Sequence, residues 1–191
     1  MTAVEVAPYN SLRFTEVIPI EFSLHEMNRL GGNLDLQGEV SIAERVAGEK
    51  QIVDTPPVHA QLHAHREKGQ IPVDGTLTGE VTFLCSRCLD RFRYVYTLPY
   101  QESFVQSHEP VLSGEEDAKG RYLFSGDTVR LDDSIADLVL VQLPLIPLCQ
   151  PDCKGLCPVC GTNRNRHSCE CSTERLDPRW EVLKELQWGD G

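Results

Sequence analysis

Alternation of apolar and polar residues predicts β-strands through the middle of the chain. Residues 58–65 alternate at period two, and residues 75–84 and 91–97 are also rich in β-branched and aromatic side chains. The last two segments flank a six-residue turn that contains Cys85 and Cys88. They are therefore predicted to form an antiparallel hairpin with two cysteines at its tip.

Three histidines, His59, His63 and His65, fall on one face of the 58–65 strand. The opposite face carries the apolar residues, so it is the one expected to be buried. We therefore interpret the histidine face as solvated rather than as a metal cluster.

The first 55 residues have a weaker pattern. Residues 14–22 resemble a strand, Gly31-Gly32-Asn33 indicates a turn, and residues 40–46 fit either a strand or a helix. Whether this region joins the β-sheet or wraps around it is left open.

Two helices are predicted near the end of the chain. The first covers residues 133–143; the sequence Asp132-Asp133-Ser134 is typical of an N-terminal cap, and Pro144 ends the helix. The second covers residues 177–188 and begins at an Asp-Pro pair. Its apolar stripe, better explained by packing than by ligand binding, consists of Trp180, Leu183 and Leu186.

These elements predict an α+β fold, with an antiparallel β-sheet or half-open barrel, a few helices and a C-terminal zinc-knuckle segment. The predicted organisation has four parts. They are a β-rich core (1–148) with one capping helix near 133–143, a cysteine-rich segment (149–175) docked on the 85–88 knuckle, a C-terminal helix (177–188), and a mobile acidic loop (107–120).

Composition limits the function classes. The chain has 191 residues, with 18 Lys+Arg against 29 Asp+Glu and a net charge of −11. Such an acidic protein does not coat nucleic acid or an anionic membrane by bulk charge, although a local basic site remains possible. The longest apolar run, residues 138–148, is far shorter than the ~20 residues of a membrane span. No secretory pattern is seen at the N-terminus, so we expect a cytoplasmic protein with reduced thiols.

The eight cysteines carry the clearest chemical signal. Cys85-Ser-Arg-Cys88 is a Cys-x-x-Cys knuckle, and Cys157-Pro-Val-Cys160-Gly161 is a second one, with a glycine suited to the tight turn. Eight thiols at these spacings predict two Zn²⁺ ions per chain, each with four sulfur ligands. The preferred partition is a proximal centre of Cys85, Cys88, Cys149 and Cys153, and a distal centre of Cys157, Cys160, Cys169 and Cys171.

The cysteine spacing also allows other interpretations. His167 in place of Cys153 gives a rival ligand set, and tetrathiolate iron is chemically allowed. A thioredoxin-like pair would open a helix, whereas Cys85 lies between two predicted strands. A catalytic zinc would keep an open coordination position, and an all-cysteine set argues against one. The polar, turn-rich surroundings of the thiols argue against unbound core cysteines.

Basic residues gather around the cysteines. Residues 85–97 and 149–169 together hold six cations and two acidic residues, whereas the rest of the chain holds twelve and twenty-seven. These cations could contact phosphate groups, or they could neutralise the thiolates of the zinc centres. The candidate RNA or partner contacts are Arg87, Arg91, Arg93, Lys154, Arg164 and Arg166.

The chain resembles the YceD-type family, the large ribosomal RNA subunit accumulation proteins. The resemblance is carried by the strand and knuckle of residues 73–89, by residues 133–149 and by the string Cys-Lys-Gly-Leu-Cys-Pro-Val-Cys-Gly-Thr-Asn of residues 153–163. It continues through Cys169-Glu-Cys171 and Asp177-Pro-Arg-Trp180. Some family members lack the distal cysteines, which implies that the two centres are separable.

The resemblance implies a non-enzymatic, zinc-dependent factor for accumulation or processing of 23S large-subunit ribosomal RNA and for assembly of the large subunit. The implied partner is pre-ribosomal large-subunit RNA or a large-subunit ribosomal protein, with no membrane and no small-molecule substrate. Two alternatives stay open at this point: a zinc-dependent interaction module outside the ribosome, and a nuclease that processes rRNA precursors. No catalytic motif of clear spacing supports the nuclease.

Overall fold

The structure is a computed structural model that describes residues 19–112 and 114–172. The predicted helix over 177–188 and the first part of the predicted 14–22 strand lie outside these residues. The elements in chain order are β1 (Glu21–Ser23), α1 (Leu24–Arg29), β2 (Asn33–Val40), α2 (Ala43–Val46), β3 (Ile52–Asp54), β4 (Val58–His65), β5 (Ile71–Leu84), β6 (Arg91–Ser107), β7 (Tyr122–Ser125), β8 (Thr128–Arg130) and α3 (Asp132–Gln142).

The predicted α+β class is confirmed, with sheets that are mostly antiparallel. The main sheet has the order β2-β4-β5-β6-β7, and β3 pairs with β5 beyond the end of β4. Only the β6–β7 pair of this sheet is parallel. Of the two architectures left open, the described strand pairing is that of an open sheet, because β2 and β7 end the path without pairing with each other. The separate β1–β8 pair is antiparallel.

The sheet buries one face and exposes the other, as its period-two pattern predicts. Alternate residues of β4 and β5 are buried, and Tyr100 and Phe104 extend the buried row along β6. These side chains pack into one cluster with residues of α1, α3 and β8, among them Met27, Ile135 and Val129. Burial of this apolar surface is the main force that holds the helices on the sheet.

The long β5–β6 hairpin is the element that positions the candidate site. The predicted strands 75–84 and 91–97 lie within it, and 58–65 coincides with β4. β6 continues to Ser107, farther than predicted, because Pro99 does not end the strand. Proline is tolerated at strand edges, and β7 pairs only with the last four residues of β6.

The first 55 residues partly join the sheet. β2 pairs with β4 along its whole length, and β3 pairs with β5. The predicted turn at Gly31-Gly32-Asn33 separates α1 from β2, with positive φ at both glycines. The ambiguous 40–46 segment contains the last residue of β2 and the short helix α2.

The predicted cap of α3 is wrong. The helix begins at Asp132 with Leu131 at the cap position and no side-chain cap hydrogen bond. The polar residues make tertiary contacts instead: Asp132 Oδ1 accepts from Ile20 N at 3.1 Å, and the buried Ser134 hydroxyl donates to Leu131 O and lies 2.6 Å from Tyr100 Oη. The end of the helix at Gln142, two residues before Pro144, agrees with the prediction.

Gly75 lies where the β4 and β5 backbones come close together. A Cβ at this position would lie 2.1 Å from Gln61 O and 2.8 Å from Leu62 Cα. Because backbone atoms cannot move aside cheaply, Gly75→Ala is expected to lower the free energy of unfolding by about 2–3 kcal/mol in urea denaturation followed by circular dichroism. The control Gly48→Ala meets no atom within 4 Å and should change it by less than about 0.5 kcal/mol. Equal effects of the two variants would contradict this account.

The acidic loop after β6 is largely exposed and contains an ordered turn. Asp117 accepts hydrogen bonds from the Arg121 side chain and from the backbone N–H groups of Lys119 and Arg121. Glu116 and Tyr122 form a short β-bridge beside this turn. The mobility predicted for residues 107–120 stays a prediction.

Asp117 should give this turn an acid-sensitive stability. Hydrogen bonding to Arg121 lowers the pKa of Asp117 from 3.8 to about 2. A lowered pKa means that the ionised carboxylate stabilises the folded state in full above about pH 4, and that this contribution is lost as the pH falls through about 2. Thermal unfolding should therefore show a Tm deficit for Asp117→Asn that is largest above pH 4 and disappears near pH 2. Glu109→Gln in the same loop is the control, and a pH-independent deficit for Asp117→Asn would contradict the assignment.

Candidate metal centres

The proximal knuckle is the tip of the β5–β6 hairpin. Leu84 ends β5 and Arg91 begins β6. Between them, Cys85 N donates to Asp90 O at 2.9 Å, and Leu89 N donates to Cys85 O at 3.0 Å with Leu89 in the left-handed region at φ 61°. This tight turn brings Cys85 and Cys88 to the same side of the hairpin tip, where both are buried.

The segment after α3 supplies the other two thiols of the proximal centre. Ser86 N donates to Pro147 O at 2.8 Å, which holds this segment against the knuckle. Cys149 and Cys153 follow, and the Cys153 side chain is buried. Phe92 and Leu148 pack around the sulfur atoms. The proximal centre therefore links the C-terminal segment to the hairpin.

The proximal sulfur atoms have the spacing of a tetrahedral site. All four Sγ atoms lie within 4.8 Å of one another. Cys85 Sγ is 3.7 Å from Cys153 Sγ, and Cys88 Sγ is 3.6 Å from Cys149 Sγ. Zinc–sulfur bonds of ~2.3 Å at tetrahedral angles place the sulfurs about 3.8 Å apart. The donor set and its dimensions thus fit a Zn²⁺ ion.

The distal centre is built on the second knuckle. Gly161 N donates to Cys157 O at 2.9 Å with Gly161 at φ 74°, and Cys157 N donates to Thr162 O at 2.8 Å. Cys157, Cys160, Cys169 and Cys171 also have Sγ atoms within 4.8 Å of one another. This centre is more open than the proximal one, since Cys160 is exposed.

The thiols of each centre differ in acidity. Burial opposes ionisation of Cys85, but hydrogen bonds from the backbone of Cys149, Cys88 and Arg87 outweigh it and lower its pKa to about 6. Hydrogen bonds from Thr162 lower the pKa of Cys160 to about 6 as well. Burial raises the pKa of Cys88 to about 12. Backbone hydrogen bonds from Cys160 and Val159 lower the pKa of Cys157 as well. Each centre thus holds at least one thiol that ionises readily, and a bound cation would favour ionisation of the others.

The structure brings together the same two groups of four cysteines that the sequence spacing predicts. Their role as zinc ligands stays a prediction. In the described part of the chain, His167 is exposed and belongs to neither group. His63 and His59 instead face carboxylates: His63 Nδ1 lies 2.7 Å from Asp35 Oδ1, and His59 Nδ1 lies 3.1 Å from Glu39 Oε1. The Cys85 knuckle joins two strands, which does not match a thioredoxin-like motif.

The six candidate contact cations fall into two classes. Three of them have partners: Arg87 Nη1 donates to Cys153 O at 2.9 Å, Arg93 pairs with Glu80 at 3.2 Å, and Arg166 pairs with Asp90 at 3.1 Å. The other three, Arg91, Lys154 and Arg164, are exposed, and their side chains form no ion pair or hydrogen bond with any described residue. The structure thus separates three cations engaged within the fold, of which Arg87 and Arg166 brace the knuckles, from three that have no partner among the described residues.

Sequence reasoning missed two asparagines, Asn163 and Asn165, between the distal cysteine pairs. Asn165 Nδ2 donates to Cys153 Sγ at 3.2 Å, and Asn163 Nδ2 donates to Asp90 Oδ2 at 2.8 Å. Their side chains connect the distal segment to the proximal centre. The Asn-x-Asn pattern was visible, but its target lies across the fold.

The fold and the cysteine groups together define an α+β protein with two tetracysteine centres at one end of its longest hairpin. Residues 73–187 match the family described as "Large ribosomal RNA subunit accumulation protein YceD". The chain belongs to the YceD family. The resemblance inferred from residues 73–89 and 153–163 is therefore confirmed.

Relatives in several organisms support this assignment. An uncharacterized protein of Mycobacterium tuberculosis, Rv2926c, is 30% identical over 83% of this chain and 76% of its own length. The chloroplastic "Large ribosomal RNA subunit accumulation protein YCED homolog 1" of Arabidopsis thaliana is 25% identical over 84% of this chain and 58% of its own length. The uncharacterized protein YlbN of Bacillus subtilis is 22% identical over 86% and 93%. No solved structure gives a significant match.

Across the described residues, no helix is both long and apolar enough to cross a membrane. The family is named for the accumulation of a ribosomal RNA and not for a reaction. The family match and the names of the plant relatives support a ribosome-related role.

Proposed function

We propose that this protein is a non-enzymatic factor for accumulation of the large-subunit ribosomal RNA, and that it acts in the cytoplasm during large-subunit assembly. The observation that carries the proposal is the family match over residues 73–187. The chloroplastic relatives of Arabidopsis thaliana and Zea mays carry the same functional name. The family name specifies an RNA that accumulates and no reaction, which favours binding over catalysis as the proposed activity.

Each centre would hold one Zn²⁺ through its four cysteines. The ion would supply structure, since four sulfur ligands fill the tetrahedral coordination and leave no position for substrate. The proximal ion would fix the segment after α3 to the hairpin tip. The distal ion would fold residues 157–171, whose side chains contribute little apolar core.

The direct partner is proposed to be pre-ribosomal large-subunit RNA, contacted by Arg91, Lys154 and Arg164, the three cations whose side chains have no partner among the described residues. These side chains project from the two knuckles of an otherwise acidic chain with net charge −11. The acidic body would repel RNA, so contact would be restricted to the metal-bearing end. A basic ribosomal protein as the direct partner is the competing outcome.

Depletion of the protein tests the ribosomal role. Sucrose gradients of depleted cells, probed for both ribosomal RNAs, should show loss of mature large-subunit rRNA while small-subunit rRNA is spared. Re-expression of the wild-type chain should restore the profile. An unchanged profile would contradict the proposal and favour a zinc-dependent interaction module outside the ribosome. Cleavage of precursor rRNA by the purified protein, lost on substitution of one carboxylate, would favour a nuclease.

A further inference from the structure

Residues 161–168, here called the arc, lie against the proximal centre. The arc connects the two cysteine pairs of the distal centre, Cys157 and Cys160 before it and Cys169 and Cys171 after it. The arc is held in place by a short antiparallel bridge between Leu156 and Asn163 and by a hydrogen bond from Arg164 N to Gly155 O at 2.9 Å. The four distal thiols at its two ends lie within 4.8 Å of one another, so a metal bound there would also fix the two ends of the arc.

Asn165, within this arc, makes the most direct contact between the centres. Its Nδ2 donates to Cys153 Sγ, a proximal thiol, at 3.2 Å, and its Oδ1 accepts from Lys154 N at 2.8 Å. The asparagine thus binds both the sulfur and the backbone next to it. Hydrogen bonds of this kind orient a metal ligand and adjust its charge.

Further contacts run from the arc and its flanks to the Cys85–Cys88 turn. Asn163 Nδ2 donates to Asp90 Oδ2 at 2.8 Å, and Arg166 pairs with the same oxygen at 3.1 Å. Leu156 N donates to Arg87 O at 3.0 Å. At Gly155 (φ 70°), a Cβ would lie 3.0 Å from Arg87 O, so the two backbones meet without room for a side chain. These contacts are close enough that a displacement of the arc would also displace the residues of the proximal knuckle.

We propose that the two centres bind metal cooperatively, with Asn165 as the positioning residue that couples occupancy of the distal centre to the affinity of the proximal one. The proposal rests on the two-zinc occupancy proposed above and does not depend on the ribosomal role. The family resemblance implies that the centres are separable, and the proposal adds a specific physical link between them through one side chain.

The coupling follows from loop closure. Without a distal ion, the arc keeps its contacts to Leu156 and Asp90, but no metal holds its end at Cys169 and Cys171, and ordering Asn165 against Cys153 costs more conformational entropy. A distal ion closes the arc in advance, so the hydrogen bond to Cys153 forms at a smaller cost. Because linkage is reciprocal, proximal occupancy must raise distal affinity by the same factor. Loss of such an outer-shell partner typically weakens metal binding by a factor of about 10 to 100.

Cobalt(II) titration with chelator competition tests the coupling, because thiolate-to-cobalt absorption reports binding directly. Four full-length proteins are compared: wild type, Asn165→Ala, a variant with all four distal cysteines replaced by serine, and the combination of both changes. We expect proximal affinity to fall about 10-fold on Asn165→Ala and about 10-fold on loss of the distal thiols. The combined variant should show no further fall, as two changes in one coupling path are not additive.

His167→Ala is the matched control, since it alters the same arc at an exposed side chain that forms no hydrogen bond or ion pair with a described residue, and its affinity should equal that of wild type. Equal proximal affinity with and without the distal thiols would overturn the coupling alone. A 10-fold fall on Asn165→Ala in both backgrounds would make the asparagine a local ligand support and would also overturn it. A wild-type chain that binds fewer than two cobalt ions would overturn the proposal together with the two-zinc occupancy.

Discussion

Replacing Cys85 with serine is expected to remove one zinc ion per chain and to destabilise the whole fold. Cys85 is fully buried where β5 ends, and its sulfur faces Cys153 at 3.7 Å. Loss of this ligand would release the segment after α3 from the hairpin tip and expose the apolar contacts of Phe92 and Leu148. The expected loss is on the order of 4 kcal/mol in the free energy of unfolding, the scale of a lost structural metal.

Cys160→Ser is the matched comparison, with the same chemical change in the exposed distal centre. At saturating zinc it should also lose one ion, but amide hydrogen exchange should rise mainly within residues 157–171 while the sheet stays protected. Elemental analysis gives the zinc content, and urea denaturation gives the stability. If both variants retained two zincs, the assignment of ligands would be wrong, and equal global destabilisation would contradict the different roles given to the two centres.

The central sheet could be predicted because its strands are long and have one buried face. β4 matched its prediction from residue 58 to residue 65, and the β5–β6 hairpin followed from two strand patterns around a knuckle. The sequence pattern did not predict the part of β6 that follows residue 97. Its continuation past Pro99 depends on that residue lying at an edge, which is a property of strand order and not of local sequence.

The N-terminal elements could not be assigned from the sequence pattern, because they are short or interrupted. α1 has six residues and α2 four, which is too short for a helical period to be recognised. β2 does alternate, but Gly38 interrupts its apolar row. A Cβ there would lie 2.7 Å from Ile20 Cγ1, so the glycine makes room for a side chain that is distant in sequence.

The spacing of the cysteines predicted which four belong to each group. It did not predict the contacts between the two groups. Short loops bring Cys157 close to Cys160 whatever the fold. Asn165, by contrast, reaches Cys153 only because the arc folds back over the proximal knuckle. The same holds for Arg87 and Arg166, which the sequence grouped with the other cations. Their hydrogen bonds to Cys153 O and Asp90 give them a bracing role.

The second prediction with a large expected effect concerns RNA binding by the three cations that have no partner among the described residues. Replacing Arg91, Lys154 and Arg164 together with glutamine should weaken binding to large-subunit rRNA fragments strongly while leaving zinc content and stability unchanged. Each free cation that contacts a phosphate releases counterions, so three contacts contribute about 2 to the slope of log affinity against log salt. The variant should lose that part of the slope in filter-binding titrations across a salt series.

A charge-matched control removes the same number of cations elsewhere. Arg29, Lys68 and Lys119 are exposed and lie outside both knuckles; Lys68 is in the turn before β5, at the opposite end of that 14-residue strand from Cys85. Their triple glutamine variant should keep the wild-type salt slope, because bulk charge is not what holds the RNA. If both triple variants lowered the slope equally, the contact would be nonspecific. If neither did, and crosslinking captured a basic ribosomal protein on the acidic body, that protein would be the direct partner, and the acidic body rather than the knuckle cations would provide the binding surface.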